Sequence, residues 1–396
     1  MNSLKRIARE PNVRPKRPAI MHAFRVLLCL LLLACGARAA EFKLAVPPYS
    51  YAFPRDHNSH PAYATEWWYY TGHLQSKGGR KFGYQLTWFR TALAPSIDRK
   101  SAWAARDVMF AHFALTDESG QKFYFTDRIG RANLGLNGAD ANSKTPRIWC
   151  GDWVLKFNGK TGETQTIRAR GTSDARATNG QDFALNLNQI ALKPPVVHGE
   201  NGVSQKSQGR GRASHYYSFT RLKTSGTLVI GNERLSVTGQ SWFDHEFGSN
   251  QMDASQVGWD WFSLQFTNGR ELMVYRLRLK NGKTEPYSSG TWVEKSGKSR
   301  HLKLADYTLT PLSNWKSSAS GATYPAKWRI RVPREKIDLI VTPTVANQEL
   351  RPSRTGANLA YWEGSVVARG TDNGRLLSGV GYLEMTGYAS AFGQSF

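Results

Sequence analysis

The sequence is short of cysteine, of acid and of long apolar runs, and each shortage excludes something. Three cysteines occur in 396 residues. Cys29 and Cys35 fall in an N-terminal leader, so the exported chain keeps Cys150 alone and is expected to have no internal disulfide. Beside Trp149, that thiol reads as a small buried hydrophobe. The apolar run at residues 26–34 is too short to span a bilayer. No long stretch after it keeps an apolar period of 3.6, which excludes a helical bundle. No G-x-S-x-G elbow and no glycine-rich phosphate loop occur. His73, His112, His198, His215 and His245 are scattered, and no Ser-His-acid set can be singled out among them.

The scarcity of acid leaves a strongly basic chain. The 53 basic residues outnumber the 30 acidic ones by 23, and the eight bases and one acid of the leader reduce this to +16 for the mature chain. Export argues against a nucleic-acid partner, and such a charge then suggests solubility or attraction to an anionic envelope surface. Basic residues precede the apolar run of the leader, and Ala37-Arg38-Ala39 follows it as a small-x-small cleavage site. Residues 1–39 therefore read as a signal peptide, with translation starting at Met21 and the mature chain near Ala40. Lipoprotein processing at Cys35 is the alternative. Either way the protein is expected in the periplasm or outside the cell.

Aromatic and β-branched residues, by contrast, are plentiful. They cluster in short runs such as residues 67–74, 81–90, 108–116, 259–267 and 271–280, separated by hairpin-like turns such as Lys77-Gly78-Gly79-Arg80 and Asn268-Gly269-Arg270. Many short strands with tight turns predict an all-β chain of barrels or sandwiches. There is also a faint repeat. Glu66-Trp67-Trp68-Tyr69-Tyr70, a Gly-Arg turn and Phe82-Gly83-Tyr84-Gln85-Leu86 are echoed by Trp259-Asp260-Trp261-Phe262-Ser263, Asn268-Gly269-Arg270 and Leu272-Met273-Val274-Tyr275. Two all-β domains of like design, residues 40–230 and 231–396, are the simplest account. The longest irregular stretch, residues 193–214, is either a flap over a site or a surface excursion.

The stretch richest in chemistry is Ser241-Trp242-Phe243-Asp244-His245-Glu246-Phe247-Gly248-Ser249. As a strand it puts Trp242, Asp244 and Glu246 on one face and Phe243, His245 and Phe247 on the other. Two neighbouring carboxyls beside a tryptophan can split their pKa values into an acid and a base near neutrality. The acid can protonate a C=C bond or a leaving group while its partner orients water. Asp244, Glu246 and His245 are therefore the candidate catalytic residues, and a structural cluster at a domain junction is the competing reading.

Other faces also mix aromatic and polar groups: Glu66, Trp68 and Tyr70 on one strand, and Trp259, Trp261, Ser263 and Gln265 on another. With Trp242, they suit a ligand cavity better than a dry core, and a barrel of about eight strands can hold one small ligand. His57, His60 and Glu66 have a loose metal-like spacing that reads rather as a hydrogen-bonded lead-in, so no metal is expected. Asp260, Glu363 and Glu384 either join the carboxylate cluster or are capped by arginine.

These motifs carry a resemblance. His60-Pro61, Thr65 to Leu74, Ala111-His112-Phe113-Ala114-Leu115, Ser214-His215-Tyr216-Tyr217-Ser218, Trp242-Phe243-Asp244-His245-Glu246, Gly258-Trp259-Asp260-Trp261-Phe262, Tyr361-Trp362-Glu363-Gly364 and Gly381 to Tyr388 resemble the signature of the AttH/carotenoid 1,2-hydratase-like family. The match covers nearly the whole mature chain. It implies two tandem lipocalin-like, calycin-type β-barrels and an envelope protein often found beside ABC-transporter components, described as a predicted secreted hydrolase. Its hydroxyneurosporene synthase relatives add water to a terminal C=C bond of a carotenoid without a cofactor, and Diels–Alderases share the architecture. An Asp-x-Asn-x-Gly pattern is expected of those hydratases; Asp244 and Gly248 fit it, and Glu246 replaces the Asn. The resulting expectation is a barrel cavity that holds an apolar lipid or terpenoid, lined by Glu66, Trp68, Tyr70, Trp242, Trp259 and Trp261. The alternative is a cofactor-independent hydratase or hydrolase with Asp244 as general acid.

Overall fold

The alternation read in the sequence becomes two antiparallel sheets, one rolled into a nearly closed barrel and the other into a half-barrel. The computed structural model describes residues 41–95, 101, 103–173, 180–354 and 360–391. The expected signal peptide, the start at Met21 and the acylation alternative at Cys35 lie outside the described residues.

In the first sheet, Thr65–Ser76 lies between its hairpin partner Lys81–Ala92 and the sheet's last strand, Glu233–Gly248, which pairs in turn with Ala213–Ile230. The second sheet repeats this order. Gln256–Phe266 lies between Glu271–Leu279 and the last strand Arg375–Met385, which pairs with Tyr361–Asp372. The aromatic-hairpin repeat in the sequence is thus a repeat of topology, in which the first strand of each sheet is flanked by its last. Gly79 and Gly269 close the two hairpins at φ +83° and +82°, where a side chain would be strained.

The chain changes sheets between Gly248 and Gln256 rather than at residues 230 and 231. Glu233–Gly248, assigned from the sequence to the second domain, is hydrogen-bonded on both sides within the first sheet. Gly231-Asn232 is a hairpin turn inside one sheet, and such a turn looks the same in sequence as a link between two.

Each sheet fills its own concave side. Alternate residues of Thr65–Ser76 send Trp68 and Tyr70 inward to meet Leu86, Phe113, Trp153 and Phe243. Phe262, Leu264, Trp292, Trp328, Trp362 and Leu383 do the same in the second sheet. Each such side chain contributes roughly 2–3 kcal/mol by leaving water. The opposite faces meet at a seam, where Tyr69, Tyr216, Trp242, Trp261, Tyr275 and Tyr382 pack together. Next to it, buried Glu271 accepts hydrogen bonds from Lys193 at 2.5 Å and Arg221 at 2.6 Å. Arg221 lies in a bulge of the strand Ala213–Ile230, which frees it from the ladder register. The irregular stretch 193–214 is tied to that same strand through Val196–Val197 and Ser204–Gln205.

Candidate functional site

A cavity of about 350 Å³ lies in the seam, walled by the outward faces of both sheets. Strand register builds each wall. Tyr69, Asp244 and Ser218 form one row across three strands of the first sheet, and Trp67, Glu246 and Tyr216 the next. Facing them, Tyr275, Trp261, Glu384 and Glu363 form a row across four strands of the second sheet. Directly opposite residues share a face and stand about 5 Å apart at Cβ, so Glu363 and Glu384 are neighbours. Trp67, Trp259 and Trp261 line the cavity together with Phe89, Phe110 and Leu277.

Asp244 is 3 % exposed. Its Oδ1 accepts hydrogen bonds from Trp242 Nε1 at 2.6 Å and from the Ser218 hydroxyl, and its Oδ2 from Tyr216 Oη at 3.0 Å. Ser218 is backed by His198 Nε2 at 2.6 Å, and His198 Nδ1 meets Thr291 Oγ1 at 2.8 Å. Burial pushes the Asp244 carboxyl up, its three hydrogen-bond donors oppose the rise, and the charge of Glu246 adds to it; the result is about 7. Glu246 accepts from the Ser214 hydroxyl and pairs with Lys206 Nζ at 3.0 Å. Lys206 also stands 4.4 Å from the centroid of the Tyr275 ring, a cation–π contact.

The facing carboxyls are perturbed in the same sense. Burial raises Glu384 to about 7, against a hydrogen bond from Trp259 and with the charges of Asp244 and Glu246. Burial and the charge of Glu384 hold Glu363 well above the ordinary carboxylic range. Two carboxyls so placed share protons and titrate as a pair. A cavity walled by tryptophan and carrying carboxylic acids at neutral pH can protonate an apolar ligand.

The structure sorts the residues expected at the site. Asp244, Glu246, Trp259 and Trp261 line the cavity. Trp242 lies in the seam cluster and reaches the site through its hydrogen bond to Asp244. Trp68 and Tyr70 do not line the cavity; they point into the first barrel, where Trp68 donates to the His57 carbonyl and Tyr70 to Gln165 Oε1. The strand's other face, with Trp67 and Tyr69, meets the cavity instead. The cavity itself was expected inside a barrel and lies between the two sheets.

His245 follows the opposite face of its strand and does not line the cavity. Its Nε2 meets Glu66 Oε1 at 2.8 Å and its Nδ1 the Asp56 carbonyl at 3.0 Å. Glu66 touches the cavity edge, but both its oxygens are engaged, by His60, His245, Ser59 and Arg90. Burial alone would raise that carboxyl; the hydrogen bonds from His245 and His60 and the charge of Arg90 hold it well below the usual range. His60, Glu66 and His245 bring their ligand-type atoms within 4.8 Å of one another. His57, the other histidine of the metal-like spacing, bonds instead to Tyr217 Oη at 2.6 Å and to the Thr161 carbonyl at 2.8 Å.

Of the three further acids, Asp260 is capped by Arg276 at 2.6 Å and Tyr388 at 2.8 Å, while Glu363 and Glu384 join the site. The sequence reading gave no site role to Trp67, Tyr69, His112, Lys206 or Tyr216. Lys206 sits in the irregular 193–214 stretch, where periodicity carries no signal. Trp67 and Tyr69 are found only once the strand face that meets the seam is known.

The profile of the AttH-like family matches residues 44–388. Comparison with curated proteins finds no match. Among solved structures, a protein assigned as AttH from Nitrosomonas europaea is similar at 31 % identity and a TM-score of 0.76, over 88 % of this chain and all of that one. Kievitone hydratase from Nectria haematococca is similar in fold at 14 % identity and a TM-score of 0.64, over 88 % of this chain and 96 % of that one. CghA with Sch210972 shares the fold at 12 % identity and a TM-score of 0.50, over 90 % and 97 % of the two chains.

Proposed function

The chain belongs to the AttH-like family, and on that premise we propose that its seam cavity binds an apolar small molecule and adds water across a C=C bond without a cofactor. The observation that carries the proposal is the placement of Asp244: a buried carboxyl, raised to about 7, in a cavity wall otherwise built largely of aromatic rings. Asp244 gives its proton to the less substituted carbon of the double bond, whose π pair forms the new C–H bond. The positive charge left on the more substituted carbon is stabilised by the faces of Trp67, Trp259 and Trp261. Water then forms the C–O bond and loses a proton. Glu246, held by Lys206, keeps a negative charge beside the acid and so favours its protonated form. A hydratase among the structural relatives agrees with this chemistry in kind.

The test is turnover of acyclic terpenoid alkenes in isotopically labelled water, which should place one labelled hydroxyl in the product. Asp244→Asn should lose about a hundredfold or more in rate while apolar ligands still quench tryptophan fluorescence. Unchanged turnover by that variant would overturn the assignment of the acid. The aromatic wall also supports a second reading, a carrier that delivers the same class of ligand to a transporter; uptake without turnover by the wild type would favour it. Export is part of the proposal, and a chain beginning near Ala40 in the periplasmic fraction would support it. Full-length protein retained in the cytoplasm would refute it.

A further inference from the structure

Three buried polar atoms at the cavity have no hydrogen-bonding partner among the described residues: Glu363 Oε1, Tyr69 Oη and His112 Nε2. Their side chains are 1 %, 7 % and 4 % exposed, so bulk water does not satisfy them, and all three residues line the cavity. They are contiguous. His112 Nδ1 meets Tyr361 Oη at 2.6 Å, and Tyr361 lies two residues before Glu363 on the same strand face. The hydroxyls of Tyr69 and Tyr361 stand beside Glu363 and favour its charged form, yet neither meets Oε1 in hydrogen-bonding geometry. Tyr69 is within electrostatic reach of Asp244, Glu363 and Glu384 together. The group therefore lies near the proposed acid, with Tyr69 and His112 on its own sheet and Glu363 on the facing one.

Buried polar groups are nearly always paired, and an unpaired one calls for a reason. Here the unused capacity is an acceptor on a carboxyl, a ring nitrogen and a phenol that can give or accept, all on residues lining one cavity. A single small hydroxylic group with two to four partners fits such a site, as a buried water does. His112 is kept neutral by burial, which holds its pKa near 3. It therefore offers the site a dipole rather than a charge and adds no repulsion toward a cationic intermediate.

We infer that Glu363, His112 and Tyr69, set in place by Tyr361, form a hydroxyl subsite that holds the water added by the reaction and then the hydroxyl of its product. The inference rests on the hydration reading above. In that step the water oxygen gives its lone pair to the cation formed when Asp244 protonates the alkene, and the C–O bond closes. The proton released from oxygen passes to the Glu363–Glu384 pair, and Asp244 recovers a proton from Glu384, which lies within electrostatic reach of it, so the acid is restored for the next turnover. The water subsite thus spans both walls of the cavity, with Tyr69 (beside Asp244) and His112 on the first sheet and Glu363 on the second.

The experiment compares two saturated probes by quenching of tryptophan fluorescence: tetrahydromyrcenol, a tertiary terpenoid alcohol, and the hydrocarbon in which a methyl replaces its hydroxyl. The wild type should prefer the alcohol by about tenfold, the worth of one well-made hydrogen bond. Glu363→Leu should bring the two affinities within about twofold. Tyr361→Phe, which keeps the packing, should reduce the preference severalfold even if Glu363→Leu fails to fold. Equal affinities in the wild type, or an undiminished preference in Tyr361→Phe, would overturn the subsite. If neither probe binds, the cavity reading falls and the subsite with it. An intact alcohol preference without turnover of any alkene would sink the hydration reading and leave the hydroxyl subsite standing.

Discussion

The raised carboxyl of Asp244 has a consequence for stability that needs no substrate. In the unfolded chain this acid ionises near its ordinary value of 3.8, and in the folded protein near 7. Between those values the native state holds a proton that the unfolded state has lost, so wild-type stability falls as pH rises through the window. At about 1.4 kcal/mol per unit over roughly three units, the loss from this group comes to about 4 kcal/mol. Asp244→Asn removes the titration and keeps the shape. Its carbonyl can accept from Trp242 and Ser218, and its amide can donate to Tyr216, which already accepts from Trp261 Nε1 at 3.2 Å. At about pH 3 the variant should lie within about 1 kcal/mol of the wild type, the scale of one altered hydrogen bond. By about pH 8 it should be the more stable by several kcal/mol. Urea unfolding of both proteins across a pH series measures the difference, which carries the titration of Asp244 together with the effect of its charge on Glu384. Parallel curves would mean that Asp244 titrates in the native state as it does in the unfolded chain, and the general-acid argument would lose its basis.

Three further outcomes are expected. Glu66→Gln strips the buried Arg90 of the carboxylate 3.0 Å away and should destabilise by about 3–5 kcal/mol; an unchanged thermal midpoint would show that Arg90 is satisfied by Asp107 and backbone carbonyls alone. Lys206→Met leaves Glu246 buried without its cation and should cost about 3 kcal/mol, most of it recovered when Glu246→Gln is added. A double variant no more stable than the single one would refute the pairing. Cys150, fully buried and pushed up to about 11 by that burial against the charge of Arg128, should resist thiol reagents in the native state and react on unfolding; fast native labelling would contradict its place in the core.

What the sequence revealed and what it hid follow from the range of each physical signal. Strands and hairpins are local, so the all-β architecture, the aromatic repeat and the split of the 242–247 stretch into two faces were legible before any coordinates. Alternation says which residues share a face but not what the face meets. That is why Trp68 and Tyr70 were taken for ligand contacts when their neighbours Trp67 and Tyr69 are the ones at the cavity. The same gap placed the cavity inside a barrel: a mixed aromatic and polar face is equally suited to a barrel lumen and to a seam between sheets, and only the packing of both interiors decides. The Glu363–Glu384 pair depended on register between strands whose facing residues the sequence does not align, and Lys206 on a stretch with no period at all. Asp244 was found early because it breaks a local rule: a carboxyl in an aromatic strand costs free energy unless it is satisfied or used. The structure shows it nearly satisfied, by three donors, while burial keeps its proton near neutrality. Donors that would stabilise the carboxylate after proton loss, around an acid that is protonated before it, are what a general acid requires, and a purely structural carboxylate would have no need of the second condition.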